Sequence, residues 1–420
     1  MKMEMKQSAL IKDNFSQKEI CFTVFMAMFW SKSILLQFVR VGLMKIPVIW
    51  VHGDLLITAG FILFFCLSFA SIYKELYIKD LFIIFSFYAI FLLHYCLFPL
   101  NREYYVKYGS TVLQDVLPKF FIGVFAFRIH REQTLKVLNL ISVITVWFYA
   151  GYMIVYYTME GNTLQGGDMH AAYMLLPHVC MTFYSMIRKA NLWNLAGVII
   201  GAVCLLFLGN RGSLLCLGMF SVFTILFSGR LKRPLLFMIL SIIVLVALFS
   251  FGILDFLYEF AEEKGFSLRI FEKLESGDIT YASGRDKLSQ RIMEYISLYP
   301  MMGMGIFSDR RVAGGLYAHN FFLEIAIHFG LILGSLFILI ILALFIVAFL
   351  YLRKKEALSV GFYSVLIFSF FVKLLLSSSY IVEPYFFFTV GYAYAATSEW
   401  RKMRRQKGQG YVKRNMLLKG

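Results

Sequence analysis

Apolar runs of about 20 residues recur along the whole chain, separated by short polar gaps, and a helix needs a run of that length to cross a bilayer. Such runs fall at roughly 20–39, 54–72, 81–98, 112–127, 136–157, 170–187, 192–209, 212–228, 234–252, 321–352, 358–376 and 380–397. In hydrocarbon every backbone N–H and C=O needs an internal partner, so runs of this kind form helices. Composition closes the soluble alternative, because 60% of the residues are hydrophobic, 16% are charged and mean hydropathy is +0.72. A water-soluble globule cannot bury that much apolar surface, and a disordered chain needs the opposite bias. The expected fold is an all-α polytopic membrane protein with about twelve transmembrane helices and one large extracytoplasmic, partly helical loop.

The net charge of +16 is distributed as an orienting signal, which argues against a nucleic-acid surface. With the N-terminus inside, the gaps 73–80, 128–135, 188–191, 229–233 and 353–357 are cytoplasmic, and each is basic. They hold Lys74 and Lys79, Arg128 and Arg131, Arg188 and Lys189, Arg230, Lys232 and Arg233, and Arg353, Lys354 and Lys355. The segment Arg401–Gly420 adds eight Lys or Arg and no acid. Arg40 and Lys45 fall on the wrong side, a local exception. The resulting organisation is a cytoplasmic N-terminus over 1–19, helices 1–9 over 20–252 and a large periplasmic or extracytoplasmic loop over 253–318. Helices 10–12 follow over 319–397, then a basic cytoplasmic tail over 398–420. No small-residue cleavage site follows the first run, so the first span is expected to stay uncleaved. All six Cys lie inside apolar runs with no metal-ligand spacing and read as small buried hydrophobes.

Charges at or near membrane depth are expensive and therefore informative. Arg211, in Gly209-Asn210-Arg211-Gly212-Ser213 between two spans, either snorkels to lipid phosphates or holds a phosphate bidentately inside a cavity. Within the outer loop, Asp255 to Glu275 suggest a helix of mixed charge. A second stretch, Leu288, Ile292, Tyr295, Ile296 and Tyr299, has helical apolar spacing and ends at Pro300. Arg285, in Ser283-Gly284-Arg285, opens that stretch with Arg291 beyond it, and either pairs with a nearby acid or faces a substrate. His319 and Asn320 stand where the loop re-enters the membrane, and an imidazole there can take or give a proton near neutral pH. Glu324 and His328, four residues apart, read best as a buried hydrogen-bonded pair that orients the helix. Lys119 and Lys373 are expected to line an anionic pocket, with His170 and Asp168 as lesser outer-face candidates and Asp115 and Glu383 as further ionisable groups near membrane depth. No nucleotide-binding or zinc-protease motif occurs, so no cofactor and no metal are expected.

In this order and topology the features resemble the bacterial O-antigen polymerase and O-antigen ligase superfamily. The residues that carry the resemblance are Gly209-Asn210-Arg211-Gly212-Ser213, Ser283-Gly284-Arg285, Tyr299-Pro300-Met301-Met302-Gly303-Met304-Gly305, Ala318-His319-Asn320-Phe321-Phe322-Leu323-Glu324 and Gly330-Leu331-Ile332-Leu333-Gly334. The block spans 209–334, while the preceding spans match only in number and hydrophobicity. The resemblance implies a metal-independent membrane glycosyltransferase in the bacterial inner membrane, with its active site facing the periplasm. Its donors would be undecaprenyl-pyrophosphate-linked glycans, with Arg211 and Arg285 binding the pyrophosphate and His319 serving the acceptor or the catalytic step. Asn320, Arg291, Lys119, Lys373 and His170 would bind substrate, and a chain-length regulator or lipid A-core would be a partner.

Two activities stay open under the resemblance. A polymerase adds the growing chain to the next lipid-linked repeat unit, and a ligase moves the finished chain to lipid A-core. Ligases show His-Asn, nine residues, then Gly-x-x-Gly/Thr/Tyr; here Gly330 fits and Leu333 departs, which with the form of the first motif tilts the reading to a polymerase. A lipid-linked oligosaccharide transporter is a third possibility, disfavoured because no repeat relates the two halves and no paired broken spans appear.

Overall fold

The computed structural model describes residues 17–42, most of 59–71, 72–129, 132–160, 169–189, 191–208, 210–227, 285–355 and 357–417. The ninth predicted span at 234–252, the mixed-charge stretch at 255–275, Asp168, Gly209 and Ser283-Gly284 lie outside the described residues. The described residues are 87% helical, with no strand among them. In chain order they form α1 (Gln17–Gly42), α2 (Ile78–Leu97), α3 (Arg102–Arg128), α4 (Glu132–Glu160), α5 (Met169–Arg188), α6 (Leu192–Phe207) and α7 (Arg211–Phe227). The series continues with α8 (Arg285–Leu298), α9 (Ser308–Val312), α10 (Phe321–Leu352), α11 (Ala357–Leu366), a π turn (Ile367–Phe371), α12 (Val372–Leu376) and α13 (Pro384–Leu417). Among the described residues, five helical stretches are long and apolar enough to cross a membrane: Ile78–Leu97, Pro99–Arg128, Glu132–Ile154, Phe321–Leu352 and Ala357–Leu376. The apolar helices α6 and α7 are shorter than that standard.

Without a hydrophobic drive between helices in lipid, close backbone contact over small residues holds a bundle together. The α3–α13 crossing shows this directly. A side chain at Gly123 would overlap the Phe388 carbonyl, and one at Gly391 would overlap the Phe120 carbonyl. α3 starts at Arg102, ten residues before the run predicted at 112, because its first turns are polar by sequence yet aromatic in packing. Tyr105 there is buried, with its ring 4.7 Å from that of Phe91 and 5.0 Å from that of Phe307. At the other end of α3, Arg128 does more than mark orientation. Its guanidinium grips the buried Asp80 carboxylate at 2.6 and 2.9 Å, tying α3 to α2.

The long helix α10 coincides with the predicted run 321–352 but is broken at Gly330, whose φ of 75° and ψ of 176° leave the helical region. A break inside a span strands backbone groups that hydrocarbon cannot satisfy. The segment after α8 supplies the partners. Met304 N–H donates to Ile327 O at 2.8 Å, Gly305 N–H to His328 O at 3.1 Å, and Leu331 N–H to Pro300 O at 2.7 Å. Gly303 and Gly305, both at positive φ, let this segment lie against the break. Asn101 fixes its far side, donating from Nδ2 to Met304 O at 2.9 Å and Ile306 O at 3.0 Å. The segment Met301–Gly305 is thus a plug seated against the break in α10.

Candidate functional site

Arg211, Arg285 and His319 each stand at the start of a helix, where unpaired N–H groups give a partial positive charge. At α7, the buried Asn210 caps the helix, its Oδ1 accepting from Gly212 N–H at 2.9 Å, so Arg211 is the first helical residue. Asn320 does the same for α10, accepting from Phe322 N–H at 2.9 Å and Leu323 N–H at 3.2 Å. Its carbonyl end is therefore committed to capping. His319, immediately before that cap, has φ 54°, a left-handed conformation that few non-glycine residues adopt. Its ring lies over Tyr317, centroids 3.9 Å apart, and its buried Nδ1 has no hydrogen-bond partner among the described residues.

Arg285 opens α8 and donates from Nη1 to Leu376 O at 2.7 Å, which fastens the loop helix to the end of α12. Burial and the nearby Arg285 charge lower the His319 imidazole to about 4, with Asp309 opposing, so the ring is neutral near pH 7. Tyr173 of α5 links Arg285 to the α7 motif. Its hydroxyl lies against the start of α7, and it is in the field of Arg285. A side chain at Gly212 would overlap that hydroxyl, so Gly212 permits a close approach as well as a turn. Lys373, buried, sits 4.8 Å from the Tyr173 ring and is ion-paired with the Glu383 carboxylate. Arg285, His319, Lys373 and the α7 start therefore share one neighbourhood. Arg291 is exposed farther along α8, and His170 is exposed one turn before Tyr173. Lys119 lies elsewhere, 5.8 Å from the Phe29 ring where α1 and α3 meet.

Beneath this neighbourhood is a fully buried ionic centre of which the sequence showed only half. Arg310 of α9, 2% exposed, donates from Nη1 to both Asp309 oxygens at 2.8 and 2.9 Å and reaches Glu324 Oε1 at 3.4 Å. Its Nη2 donates to Ser379 Oγ at 2.7 Å. Glu324 also accepts from the Ser379 hydroxyl and from Tyr380 N–H at 3.2 Å. His328 Nε2 lies 2.9 Å from Asp309 Oδ1, and its Nδ1 lies 3.0 Å from the Tyr380 hydroxyl. Glu324 and His328 are thus buried and hydrogen-bonded as expected, but through Arg310, Asp309 and Tyr380. Burial would raise the Asp309 carboxyl, yet Arg310 and His328 outweigh it and hold the group below the usual carboxylate range. Ligand atoms of Asp309, Glu324 and His328 lie within 4.8 Å of one another, the reach of a metal site. The Arg310 guanidinium already bonds both carboxylates and supplies the cation they need, so these residues do not fit a metal ion.

This centre also positions the candidate site. Asp309 Oδ2 accepts from Ala318 N–H at 3.1 Å, which pins the residue directly before His319. Asp309 and Arg310 carried no warning in the sequence beyond being charged residues between two glycine turns. Their partners Glu324, Ser379 and Tyr380 come from other elements.

Residues 196–338 match the O-antigen ligase family, about the same stretch that carries the resemblance. No curated protein and no solved structure matches the chain. The matched segment contains Arg211, Arg285, His319 and the Asp309–Arg310–Glu324–His328 centre, so over these residues the chain is similar to the O-antigen ligase family.

Proposed function

We propose that the protein is a membrane glycosyltransferase that polymerises undecaprenyl-pyrophosphate-linked repeat units into O-antigen or capsular polysaccharide on the periplasmic face of the inner membrane. The observation that carries the reading is the placing of Arg285 beside His319 at two helix starts within the family-matched segment. A pyrophosphate-linked sugar is already activated, and the barrier lies in charge developing on the leaving pyrophosphate. Arg211 and Arg285, with the N-terminal ends of α7, α8 and α10, oppose that charge; one such donor is worth about 10²–10³ in rate. His319, neutral and with a buried Nδ1 that has no partner among the described residues, takes the proton from the acceptor hydroxyl as it attacks the anomeric carbon. Attack opposite the leaving group inverts that carbon. Lys373 is neutralised by Glu383, so its part is to hold Tyr173 against the α7 start. Arg291 and His170, both exposed, suit the approach of a large glycan or a partner such as a chain-length regulator.

The second reading, transfer of the finished glycan to lipid A-core, is favoured by the description of the matched family as O-antigen ligase. Leu333, the residue that departs from the ligase pattern, is 54% exposed on α10, so the departure bears weakly on the site. The polymerase reading then rests on the form of Asn210-Arg211-Gly212-Ser213. A deletion strain separates them. Core capped with a single repeat marks a lost polymerase, and uncapped core with accumulated lipid-linked polymer marks a lost ligase. Repeat units held on the cytoplasmic leaflet would favour a transporter over both. Replacing Arg211, Arg285 or His319 should abolish long chains while the protein stays in the membrane; wild-type chain length in all three would sink the site.

A further inference from the structure

A cavity of about 900 Å³ lies where the start of α4, the end of α5 and the start of α6 meet. It is remote from the site above, since Arg188 at its rim is fifteen residues along α5 from Tyr173, about 22 Å of helix. Lys136 of α4 and Arg188 and Lys189 at the end of α5 converge on it. Glu132 offsets part of this charge through an exposed pair with Lys136 at 3.1 Å, leaving two net positive charges at the rim.

Below the cations the wall changes character in an orderly way. On α4, Lys136, Leu140, Val143, Ile144 and Trp147 follow at three- and four-residue intervals, so one helix face runs from a cation to hydrocarbon surface. Leu140 and Ile144 are 59% and 56% exposed, continuous with the apolar exterior of the bundle. Beyond Ile144 on the same helix, the Trp147 and Trp193 rings meet edge-on, centroids 5.5 Å apart, and line the cavity. The Trp147 Nε1 is buried and has no hydrogen-bond partner among the described residues. Asn139 and Asn194 give the cavity a polar floor, Asn139 already accepting from the Ser185 hydroxyl.

We propose that this cavity binds one anionic phospholipid, headgroup against Lys136, Arg188 and Lys189, and chains along Leu140 and Ile144. A free phosphate would satisfy the cations but leave the apolar half of the face uncovered. A zwitterionic lipid would cover that half, but its own ammonium would oppose the cations. The order along α4, cation at Lys136 and then hydrocarbon surface at Leu140 and Ile144, matches the order of a phospholipid from head to chain.

The test uses the purified full-length protein in a neutral detergent and follows thermal unfolding against added phosphatidylglycerol, phosphatidylcholine or inorganic phosphate. Phosphatidylglycerol is expected to raise the midpoint saturably, phosphatidylcholine and phosphate much less. The triple variant Lys136→Gln, Arg188→Gln, Lys189→Gln should weaken that response by about tenfold to 100-fold, since each cation near an anionic headgroup acts roughly independently. The single variant Arg188→Gln should weaken it by about fivefold and carries the test if the triple variant does not purify folded. A matched pair, Lys354→Gln with Lys355→Gln, removes charge elsewhere and should respond like wild type. Equal protection by phosphatidylcholine or by inorganic phosphate would overturn the assignment. So would a wild-type response in the triple variant or in Arg188→Gln, or an equal loss in the Lys354/Lys355 control. Transferase activity enters none of these measurements, so the outcome is independent of the proposed reaction.

Discussion

Replacing Arg310 by Met is the most discriminating perturbation of the structure, because it removes the guanidinium from a centre with two buried carboxylates. Arg310 is 2% exposed, and Asp309 and Glu324 are fully buried. The substitution keeps an unbranched apolar stem but deletes the fork that bonds Asp309 at 2.8 and 2.9 Å, Ser379 at 2.7 Å and Glu324 at 3.4 Å. Removing one partner of a buried ion pair leaves an uncompensated charge and costs about 3–5 kcal/mol. The remaining partners set where in that range the value falls. Asp309 keeps His328 at 2.9 Å and Ala318 N–H at 3.1 Å, and Glu324 keeps Ser379 and Tyr380 N–H at 3.2 Å. The expected loss is therefore near the low end, about 3 kcal/mol, a fall of about 3–4 °C in thermal midpoint for a chain of this size.

The control separates charge from packing. Arg310→Met combined with Asp309→Asn and Glu324→Gln removes the stranded charges while keeping shape and hydrogen-bonding capacity. It should recover more than half of the loss, an interaction energy of at least about 1.5 kcal/mol among contacting residues. Arg310→Lys should fall between, because a point charge cannot reproduce a fork held by several acceptors. Thermal unfolding in detergent, with membrane abundance as a cellular check, reads all three. An Arg310→Met protein within about 1 kcal/mol of wild type, or a triple variant no more stable than the single one, would refute the account of this centre as a charge-balanced anchor.

Two other outcomes are expected. If His319 accepts the acceptor proton, kcat/KM should fall only as pH drops through about 4, where burial and Arg285 place the free imidazole, and the limb in kcat should lie higher because a bound pyrophosphate favours the imidazolium. A kcat/KM limb at the ordinary 6.5 would count against that role. The same depression makes the His319 contribution to stability full above 6.5 and progressively lost as pH falls from there towards 4, measurable as a wild-type slope missing in His319→Gln. Separately, Gly391→Ala should prise α3 from α13, because the new methyl would overlap the Phe120 carbonyl; a loss of about 1–3 kcal/mol is expected in the unfolding assay, and a neutral effect would mean the helices do not cross this closely.

Most helices were legible because one physical signal, an apolar run, both forms and bounds them. The runs at 170–187, 212–228 and 321–352 differ from α5, α7 and α10 by no more than one residue at either end. The first turns of α3 escaped because Arg102–Lys107 carry charge and tyrosine, with no apolar run to mark them. The basic tail was legible as charge but not as the continuation of α13 to Leu417. In the site, the local features were readable and the long-range ones were not. Asn210 and Asn320 each precede a run, the ordinary position of a helix cap, although the motif suggested substrate contacts for Asn320. Arg310 was not readable, since its value depends on Glu324 and Ser379, fourteen and sixty-nine residues away. The break at Gly330 was hidden for the same reason, because its stranded groups are satisfied from Pro300, Met304 and Gly305.

These long-range contacts explain why the loop can carry a site at all. A polar loop lying against a lipid-facing span would ordinarily be held by little. Here the segment between α8 and α10 is fastened twice to α10. The first fastening is Met304 and Gly305 on the carbonyls exposed by the Gly330 break, and the second is the Asp309–Arg310 centre on Glu324 and His328. Both lie on the turns of α10 nearest its capped start, so the short stretch from Asp309 to Asn320 is held rigidly at both ends. His319, in its strained left-handed conformation, is the residue this arrangement over-determines, and strain of that kind persists only where the surroundings enforce it. Arg285 approaches from α8, anchored on the far side by Leu376 O. An imidazole and a guanidinium that the sequence separates by thirty-four positions are thereby set on two independently fixed supports, the positioning that the proposed transfer requires.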